Sequence, residues 1–332
     1  MKILGIDIGY SHVKCSFGSP DSEPSTFKFS STVGRTQRNQ HIKDSNVYDY
    51  NEQSFYVGET ALHLPSDNII NITEYKNLEY YAPLFVAHAI KICGGMPDII
   101  VTGLSKAQIN NSGYFKDAIS EFVVNNIRYK FDNVFVIPQG AGCKVCSDKY
   151  GLEYSDQKSE FSNCANYIGV DGGFNTLDLY VVINGKVSAS VFEGIENEGV
   201  MKIASKVAKL VQEKHNRNIT LHEARDILDT GSYKLRSDVY DYSEELKAIK
   251  KEYILDMFNL IEQKYGKIID KCECIYFSGG ASRLFKSGVI NGIKLIVPLK
   301  NNEFLNSIGQ FLFGCEQYRK LKDIQTQVNL EN

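Results

Sequence analysis

The chain has 332 residues, 43% of them hydrophobic and 23% charged. That is the composition of an ordinary soluble globular protein, at a length that one hydrophobic core rarely serves. A formal net charge of −3 excludes a general electrostatic footprint for nucleic acid, and no apolar run reaches the ~18 residues of a membrane span.

Residues 1–30 read as a β-meander, with strands Ile3–Asp7 and Val13–Phe17 and a third over Thr26–Phe29. Met1 opens directly into strand, without a signal peptide's charged start or small-residue cleavage site. The expectation is a reducing cytoplasm in which the eight cysteines are thiols. Residues 31–50 are polar and predict an exposed loop. Phe55–Glu59 is a short strand entering a turn, with a short helix from Ala61. The spacing of Leu84, Phe85, Ala87, Ala89 and Ile90 predicts a buried helix over Tyr80–Cys93. Ile99–Gly103 is a strand, Tyr114–Val123 a helix, Val134–Ile137 a buried strand, and Ala141–Tyr150 a helix. The polar stretch 151–163 predicts a surface connection between two lobes.

The opening pattern then returns. Tyr167–Val170 is a strand, Leu177–Ile183 its return, and Val187–Phe192 a third strand after the Asn184-Gly185 turn. Helices follow over Glu198–Glu213 and His222–Leu228, the second capped by Thr220. Lys234–Lys247 reads as charged surface and Tyr253–Tyr265 as a helix. Strands Cys274–Ser278 and Ile293–Val297 precede a small-residue helix over Phe304–Gly314 and a polar, frayed end. Two cysteine pairs, Cys143/Cys146 and Cys272/Cys274, have spacings that invite a zinc reading. Pleat alternation at Cys274 and the helical setting of Cys143 and Cys146 favour core packing.

Two stretches share one design. In the first, a strand delivers Asp7, the chain turns at Gly9, and Ser11 and Lys14 follow. In the second, a strand delivers Asp171, Gly172-Gly173 turns the chain, and Asn175 and Thr176 follow. Taken alone, the first fits either a plain N-terminal hairpin or a phosphate cradle, in which glycine lets backbone N–H groups approach oxygen. Twice more, a later strand ends in glycine-rich sequence, at Gln139–Gly142 and at Gly279–Ala281. This internal near-repeat implies two related sheets facing a cleft. A P-loop and a Rossmann glycine motif are both absent.

Five motifs in this order resemble the actin, sugar-kinase and heat-shock-chaperone ATPase superfamily, and more narrowly the ParM/StbA plasmid-partition actins. They are Asp7–Lys14, Val136–Gly142, Asp171–Asp178, Phe277–Ser282 and Asn306–Gly309, and they span nearly the whole chain. Tyr56–Ala61 and Val101–Leu104 are similar to the partition branch. One departure stands out. The second phosphate hairpin of the family carries two small residues before its hydroxyl pair, where this chain has Phe174 and Asn175 and keeps only Thr176 as a hydroxyl.

The resemblance implies an α/β, actin-like ATPase fold. Each of its two lobes would hold a ribonuclease-H-like mixed β-sheet flanked by helices, with a nucleotide cleft between them. The first lobe would be 1–150 plus 305–332, with a smaller subdomain at about 31–75. The second would be 160–304, with a smaller subdomain at about 201–268. It also implies ATP, with GTP as an option, and Mg²⁺ bound through water by Asp7 and Asp171. Nucleotide contacts would come from Asp7, Gly9, Tyr10, Ser11 and Lys14 in the first hairpin. Gly172, Gly173, Asn175 and Thr176 would supply those of the second, and Glu198, Lys202, Gly279, Gly280 and Ala281 the rest. Gln139 and Asp171 would be catalytic. Glutamine cannot take a proton as a carboxylate does, but it can orient the attacking water.

Plain structural roles remain open for each: hairpin capping for the aspartates, a surface strand position for Lys14, a backbone-bonded loop for Gln139, a simple turn at Gly279-Gly280, and an i,i+4 ion pair for Glu198 and Lys202. The implied function is a cytoplasmic ATPase that polymerises with itself and segregates plasmid or other DNA through an adaptor protein. Direct nucleic-acid and membrane contacts are not expected. The alternatives are a small-molecule kinase, which would need a carboxylate base where this chain has Gln139, and a non-hydrolysing cytoskeletal scaffold.

Overall fold

The computed structural model describes the backbone of residues 1–36, 46–70, 72–154, 164–188 and 191–331. They divide into two compact units, Met1–Gly151 with Glu303–Asn332, and Leu152–Asn302.

In the first unit, β1 (Ile3–Ile8) is buried along its whole length. It pairs antiparallel with β2 (His12–Gly18), which pairs with β3 (Ser25–Ser30). On the other side β4 (Ile99–Leu104) and β5 (Val134–Pro138) add in parallel, giving the order β5-β4-β1-β2-β3. A strand buried on both faces must be covered twice. Leu4, Ile6 and Ile8 join the core built with α1 (Tyr75–Cys93). Ile3 packs with Phe311 and Cys315 from a C-terminal helix that begins at Leu305. Gly5 lies between these contacts. A side chain there would overlap Ser307 O and reach within 2.5 Å of Phe311 N, so glycine lets this helix lie directly on the sheet. The remaining helices of the unit are α2 (Ser112–Ser120) and α3 (Ala141–Tyr154).

The second unit repeats the plan. β6 (Tyr167–Gly172) pairs antiparallel with β7 (Thr176–Ile183), which pairs with β8 (Glu193–Glu196). β9 (Cys274–Ser278) and β10 (Ile293–Ile296) add in parallel beyond β6. Helices α4 (Met201–His215), α5 (Leu221–Thr230) and α6 (Ser243–Ile269) bury Ile203, Val207, Ile227, Phe258 and Ile261 with Ile168, Val170 and Phe277 of the sheet. The C-terminal helix of the first unit, α7 (Leu305–Glu331), follows. Both units therefore carry a three-strand meander extended by two parallel strands, which is the ribonuclease-H-like arrangement. Among the described residues, no helix is long and apolar enough to cross a membrane.

Thr220 starts α5 with a complete capping box: its side chain accepts from Glu223 N, and the Glu223 side chain accepts from Thr220 N. Thr220→Ala is expected to cost about 1 kcal/mol of stability, read as a lowered urea midpoint with an unchanged slope.

Several expectations need correction. Residues 31–50 are not simply an exposed loop. Val33–Thr36 and Val47–Tyr50 are strands that join Gln53–Val57 and Ile69–Ile70 in a four-stranded sheet, burying Val33, Tyr48 and Phe55; 37–45 lie outside the described residues. The helix expected over Tyr114–Val123 ends at Ser120. Glu121–Val124 and Ile127–Lys130 form a hairpin whose turn residues, Asn125 and Asn126, both have positive φ. The third strand of the second meander is Glu193–Glu196 rather than Val187–Phe192, and 189–190 lie outside the described residues. Within Lys234–Lys247 the chain forms one side of a hairpin, Ser232–Leu235 with Asp238–Asp241, and then the first turn of α6. The Glu198–Glu213 helix starts at Met201. The C-terminal helix continues to Glu331 instead of fraying after Gly314. Of the expected connection 151–163, residues 151–154 extend α3 and the rest are outside the described residues.

Candidate functional site

Pleat alternation sets the first hairpin. β1 carries Asp7 on the same face as Ile3 and Gly5, the face that α7 covers. In the β1–β2 register, Asp7 stands opposite Lys14. The Lys14 ammonium donates to Asp7 Oδ2 at 3.2 Å, and Gln139, just past the end of β5, donates from Nε2 to Asp7 Oδ1 at 2.9 Å. The Asp7 carboxylate is 5% exposed and the Lys14 side chain 13%. In so dry a setting the attraction between the two opposite charges is screened less than it would be in water. Three expected site residues are thus brought to one point.

The turn between β1 and β2 is closed by Gly9 N–H to His12 O at 3.2 Å, and Ser11 Oγ lies 3.0 Å from His12 Nδ1. Ser11 is buried and Tyr10 packs partly against the core. The Gly9 amide closes its own turn, and a Cβ at Gly9 would stand 2.9 Å from His12 O.

The second hairpin copies these bonds. Gly173 N–H donates to Thr176 O at 2.8 Å, as Gly9 does to His12. Ser278 on β9 donates to Val170 O at 3.0 Å, as Thr102 on β4 donates to Ile6 O at 2.8 Å. In each unit, then, a hydroxyl on the neighbouring parallel strand fixes the carbonyl just before the aspartate. Asp171 stands opposite Asp178 as Asp7 stands opposite Lys14, so the position that carries an ammonium in the first unit carries a carboxylate in the second.

Gly279, with φ +84°, closes against this hairpin: a Cβ there would overlap Asp171 Oδ1 and lie 2.6 Å from Gly172 O. A Cβ on Gly172 would stand 2.7 Å from the Ala281 Cβ. Asp171, Gly172, Gly279 and Ala281 are therefore one cluster. Gly280 has nothing within 4 Å of its own Cβ position.

The tip of the second hairpin is bonded to the start of α4. Gly199 N donates to Asn175 O at 3.3 Å, Val200 N to Gly173 O at 3.1 Å, and Met201 N to Phe174 O at 2.7 Å. Phe174, the departure from the family pattern, stacks on His222 of α5 with ring centroids 5.9 Å apart and planes 8° apart. Burial, with Arg225 nearby, holds the His222 imidazole below its ordinary pKa, which keeps the stack neutral. Asn175 is buried, and its Oδ1 has no hydrogen-bond partner among the described residues. Glu198 lies just ahead of α4 and accepts from Lys202 at 2.9 Å; Asp256 stands 3.6 Å from the same ammonium. The hydrogen bond to Glu198 raises the Lys202 pKa. This pair is partly exposed, as an ordinary surface ion pair would be.

Cys143, Cys146 and Cys274 are buried, and Cys143 Sγ donates to Asn306 Oδ1 at 3.3 Å. Burial pushes the Cys146 and Cys274 thiols up, which keeps them protonated. Among the described residues, no group of three or more His, Cys, Asp or Glu could hold a metal directly.

Sequence reasoning missed the roles of Thr102, Ser278 and Asp178. Asp178 could have been found: it follows Asp171 by seven residues, as Lys14 follows Asp7. Partners across strands of distant sequence, such as Thr102 with Ile6, leave no local signal.

Paired sheets of this order, each with an Asp–Gly hairpin at the same strand end, define an actin-like fold. Residues 5–142 match the family described as actin like proteins N terminal domain, and residues 169–289 match archaeal actin homologue MreB-like, C-terminal. Among solved structures, the chain is similar to the protein of a 15-stranded ParM filament from Clostridium botulinum. The two share 20% identity over 95% of this chain and 99% of that one, with a TM-score of 0.72. An archaeal actin homologue in complex with ADP gives 14% identity over 96% and 100%, with a TM-score of 0.73. Bacillus thuringiensis ParM with ATP gives 14% identity over 96% and 99%, with a TM-score of 0.65. No curated protein matches the chain. The chain belongs to the actin-like proteins.

Proposed function

We propose that the protein is a Mg²⁺-dependent ATPase that assembles with itself into filaments and disassembles them by hydrolysis. Its task in this reading is to move plasmid or other DNA in the cytoplasm through a DNA-binding adaptor. One observation carries the proposal: the duplicated hairpin, with Lys14 and Gln139 both anchored on Asp7 in the first unit. Relatives of similar fold are a ParM filament and structures with ATP or ADP.

The proposed chemistry follows from the side chains. Lys14 supplies a point charge to a phosphate, its position set by Asp7. Ser11, Thr176 and Asn175 offer hydrogen bonds, and Gly9, Tyr10, Gly172 and Gly173 let phosphate oxygens approach the backbone. Gly279, Gly280 and Ala281 leave room for the nucleoside, with Glu198 and Lys202 at the ribose or base. Gln139 keeps its amide nitrogen on Asp7, so its carbonyl oxygen is the end that accepts from the attacking water. The aspartates provide only oxygen donors, without a protein cage. That fits a hydrated Mg²⁺ reached through water by Asp7 and Asp171, and such an ion neutralises phosphate charge. ATP is the nucleotide proposed, and GTP is the competitor to assay beside it.

Light scattering and pelleting after addition of ATP and Mg²⁺ test this directly. Concentration-dependent assembly followed by decay is expected. A monomer at all concentrations that consumes ATP only with a sugar or another metabolite would show a small-molecule kinase instead. Assembly without turnover would show a scaffold. Gln139→Ala is expected to lower turnover about 100-fold, because it removes the group that places the water, with nucleotide binding retained. Unchanged turnover would remove Gln139 from catalysis.

A further inference from the structure

Three cysteines lie close to the start of the second unit's central strands. Cys274 opens β9, Cys272 precedes it by two residues, and Cys164 comes three residues before β6. All three are thiols in this structure. Pleat alternation puts Cys274 on one face of β9 with Tyr276, and Ile275 and Phe277 on the other. Cys272 packs against the core that holds Ile275 and Phe277. Cys274 meets Cys164 instead: its Sγ donates to Cys164 Sγ at 3.6 Å.

Backbone bonds on either side hold this pair together. The Glu273 carboxylate accepts from Ala165 N at 3.1 Å and from Asn166 N at 3.2 Å, and Glu273 N donates to Asn166 O at 2.9 Å. Tyr167 then stands opposite Cys274 in the β6–β9 register. The residues after Cys164 are thus tied to the residue before Cys274, and two groups held so close react as one molecule rather than two. Cys274 is fully buried and Cys164 is partly exposed, so a reagent from solvent reaches Cys164 first. A disulfide sets its sulfurs ~2 Å apart, so closure asks them to approach by about 1.5 Å. Cys164 lies outside the strands, where no sheet ladder opposes that movement.

We propose that Cys164 and Cys274 are a redox modification site, at which a small-molecule disulfide such as oxidised glutathione is reduced and an intramolecular disulfide forms between the starts of β6 and β9. The Cys164 thiolate attacks the small disulfide, forms a mixed disulfide and releases one small thiolate. Cys274 gives its proton to solvent and attacks the Cys164 sulfur, releasing the second small thiolate. The two thiolates take up the protons that the cysteines lost. Two protein thiols are oxidised, and one small disulfide is reduced to two thiols. Burial raises the Cys164 pKa, and the bond from Cys274 opposes that rise. Burial raises Cys274 as well and keeps it protonated until Cys164 has reacted. The bridge closes a loop from residue 164 to residue 274, which restrains the unfolded chain and stabilises the second unit.

The test treats the folded full chain with oxidised glutathione, alkylates the remaining thiols and maps the peptides without reduction. A Cys164–Cys274 peptide pair, two hydrogens lighter than its reduced parts, is expected. So is a rise in Tm of about 5–10 °C, reversed by dithiothreitol. Cys272 and Cys274 fall on one tryptic peptide, so Cys272→Ser assigns the bridge: it is expected to close as wild type does. Cys164→Ser is expected to leave Cys274 reduced and to gain no Tm on oxidation. Should that variant not fold, mapping of wild type and Cys272→Ser decides alone. Glutathione left on Cys164 without closure, a bridge lost in Cys272→Ser, or unmodified Cys164 and Cys274 in the folded chain each overturns the proposal.

Discussion

Gly279→Ala is expected to weaken ATP binding by about 100-fold, or about 2.7 kcal/mol, and to lower the stability of the second unit by about 2 kcal/mol. Two physical causes act together. The backbone at Gly279 has φ +84° and ψ −179°, a region that residues with a Cβ rarely enter. The new methyl would also overlap Asp171 Oδ1 and sit 2.9 Å from Gly172 N. The backbone there cannot retreat freely, because Gly279 N donates to Asn302 O and Gly279 O accepts from Ser282 Oγ. The strain therefore passes to Asp171 and the turn after it, which are the groups proposed to face phosphate and Mg²⁺. Gly288→Ala is the control. It introduces the same methyl elsewhere in the second unit, outside the proposed site, where nothing lies within 4 Å, and binding within about threefold of wild type is expected. Titration with a fluorescent ATP analogue, alongside urea unfolding, separates the two effects. Equal affinity in both variants would remove the Gly279 turn from the nucleotide site.

The second large effect concerns the first unit. Gly309→Val is expected to destabilise it by about 4 kcal/mol, a large share of the 5–15 kcal/mol that typically holds a domain together. A Cβ at Gly309 would overlap Gly142 O and lie 2.7 Å from Gly142 Cα. Conversely, a Cβ at Gly142 would stand 2.7 Å from Asn306 O. Helices α3 and α7 therefore touch backbone to backbone, and no flexible side chain can move aside. Separating them would also break the bonds from Gly140 N and Cys143 to Asn306. Gly113→Val, on α2, where an added Cβ meets nothing within 4 Å, serves as the control. Thermal unfolding of the two variants decides the matter; similar midpoints would show that the α3–α7 contact yields more easily than its geometry implies.

The hairpins were the most legible part of the chain because their signals are local. An apolar strand, an aspartate and a glycine turn lie within a few residues of one another, and the pattern occurs twice. The order of strands and helices around them followed from the same periodicities. The small sheet over residues 33–70 was harder to read. Val33–Thr36 and Val47–Tyr50 are only four residues each, and neither alternates polar with apolar residues, so no periodicity separates them from a polar loop. Glu121–Val124 continues the apolar pattern of α2, so its switch to strand is hidden. The clue was Asn125-Asn126, a pair that tolerates the positive φ of a tight hairpin turn. Helix α6 was half seen because its first turns, from Ser243, are charged and largely exposed. Within the site, Asp7, Lys14 and Gln139 could be named in advance, but Gln139's hold on Asp7 spans 132 positions of sequence. The stack of Phe174 on His222 was invisible for the same reason. What looked like a defect in the second hairpin is a ring seated against α5.

Helix α7 also bears on the timing of synthesis. The second unit is one continuous stretch, whereas the first is made of two pieces, one of which begins only at Glu303. Until residues 305–315 have left the ribosome, Ile3, Ile99 and Val101 lack Phe311 and Cys315, and one face of the first sheet is bare. At about 5–20 residues per second, that exposure lasts roughly ten to thirty seconds after residue 151 is made. The part of the chain translated first is thus the part completed last, and the nascent N-terminal sheet is where a chaperone would have most to shield.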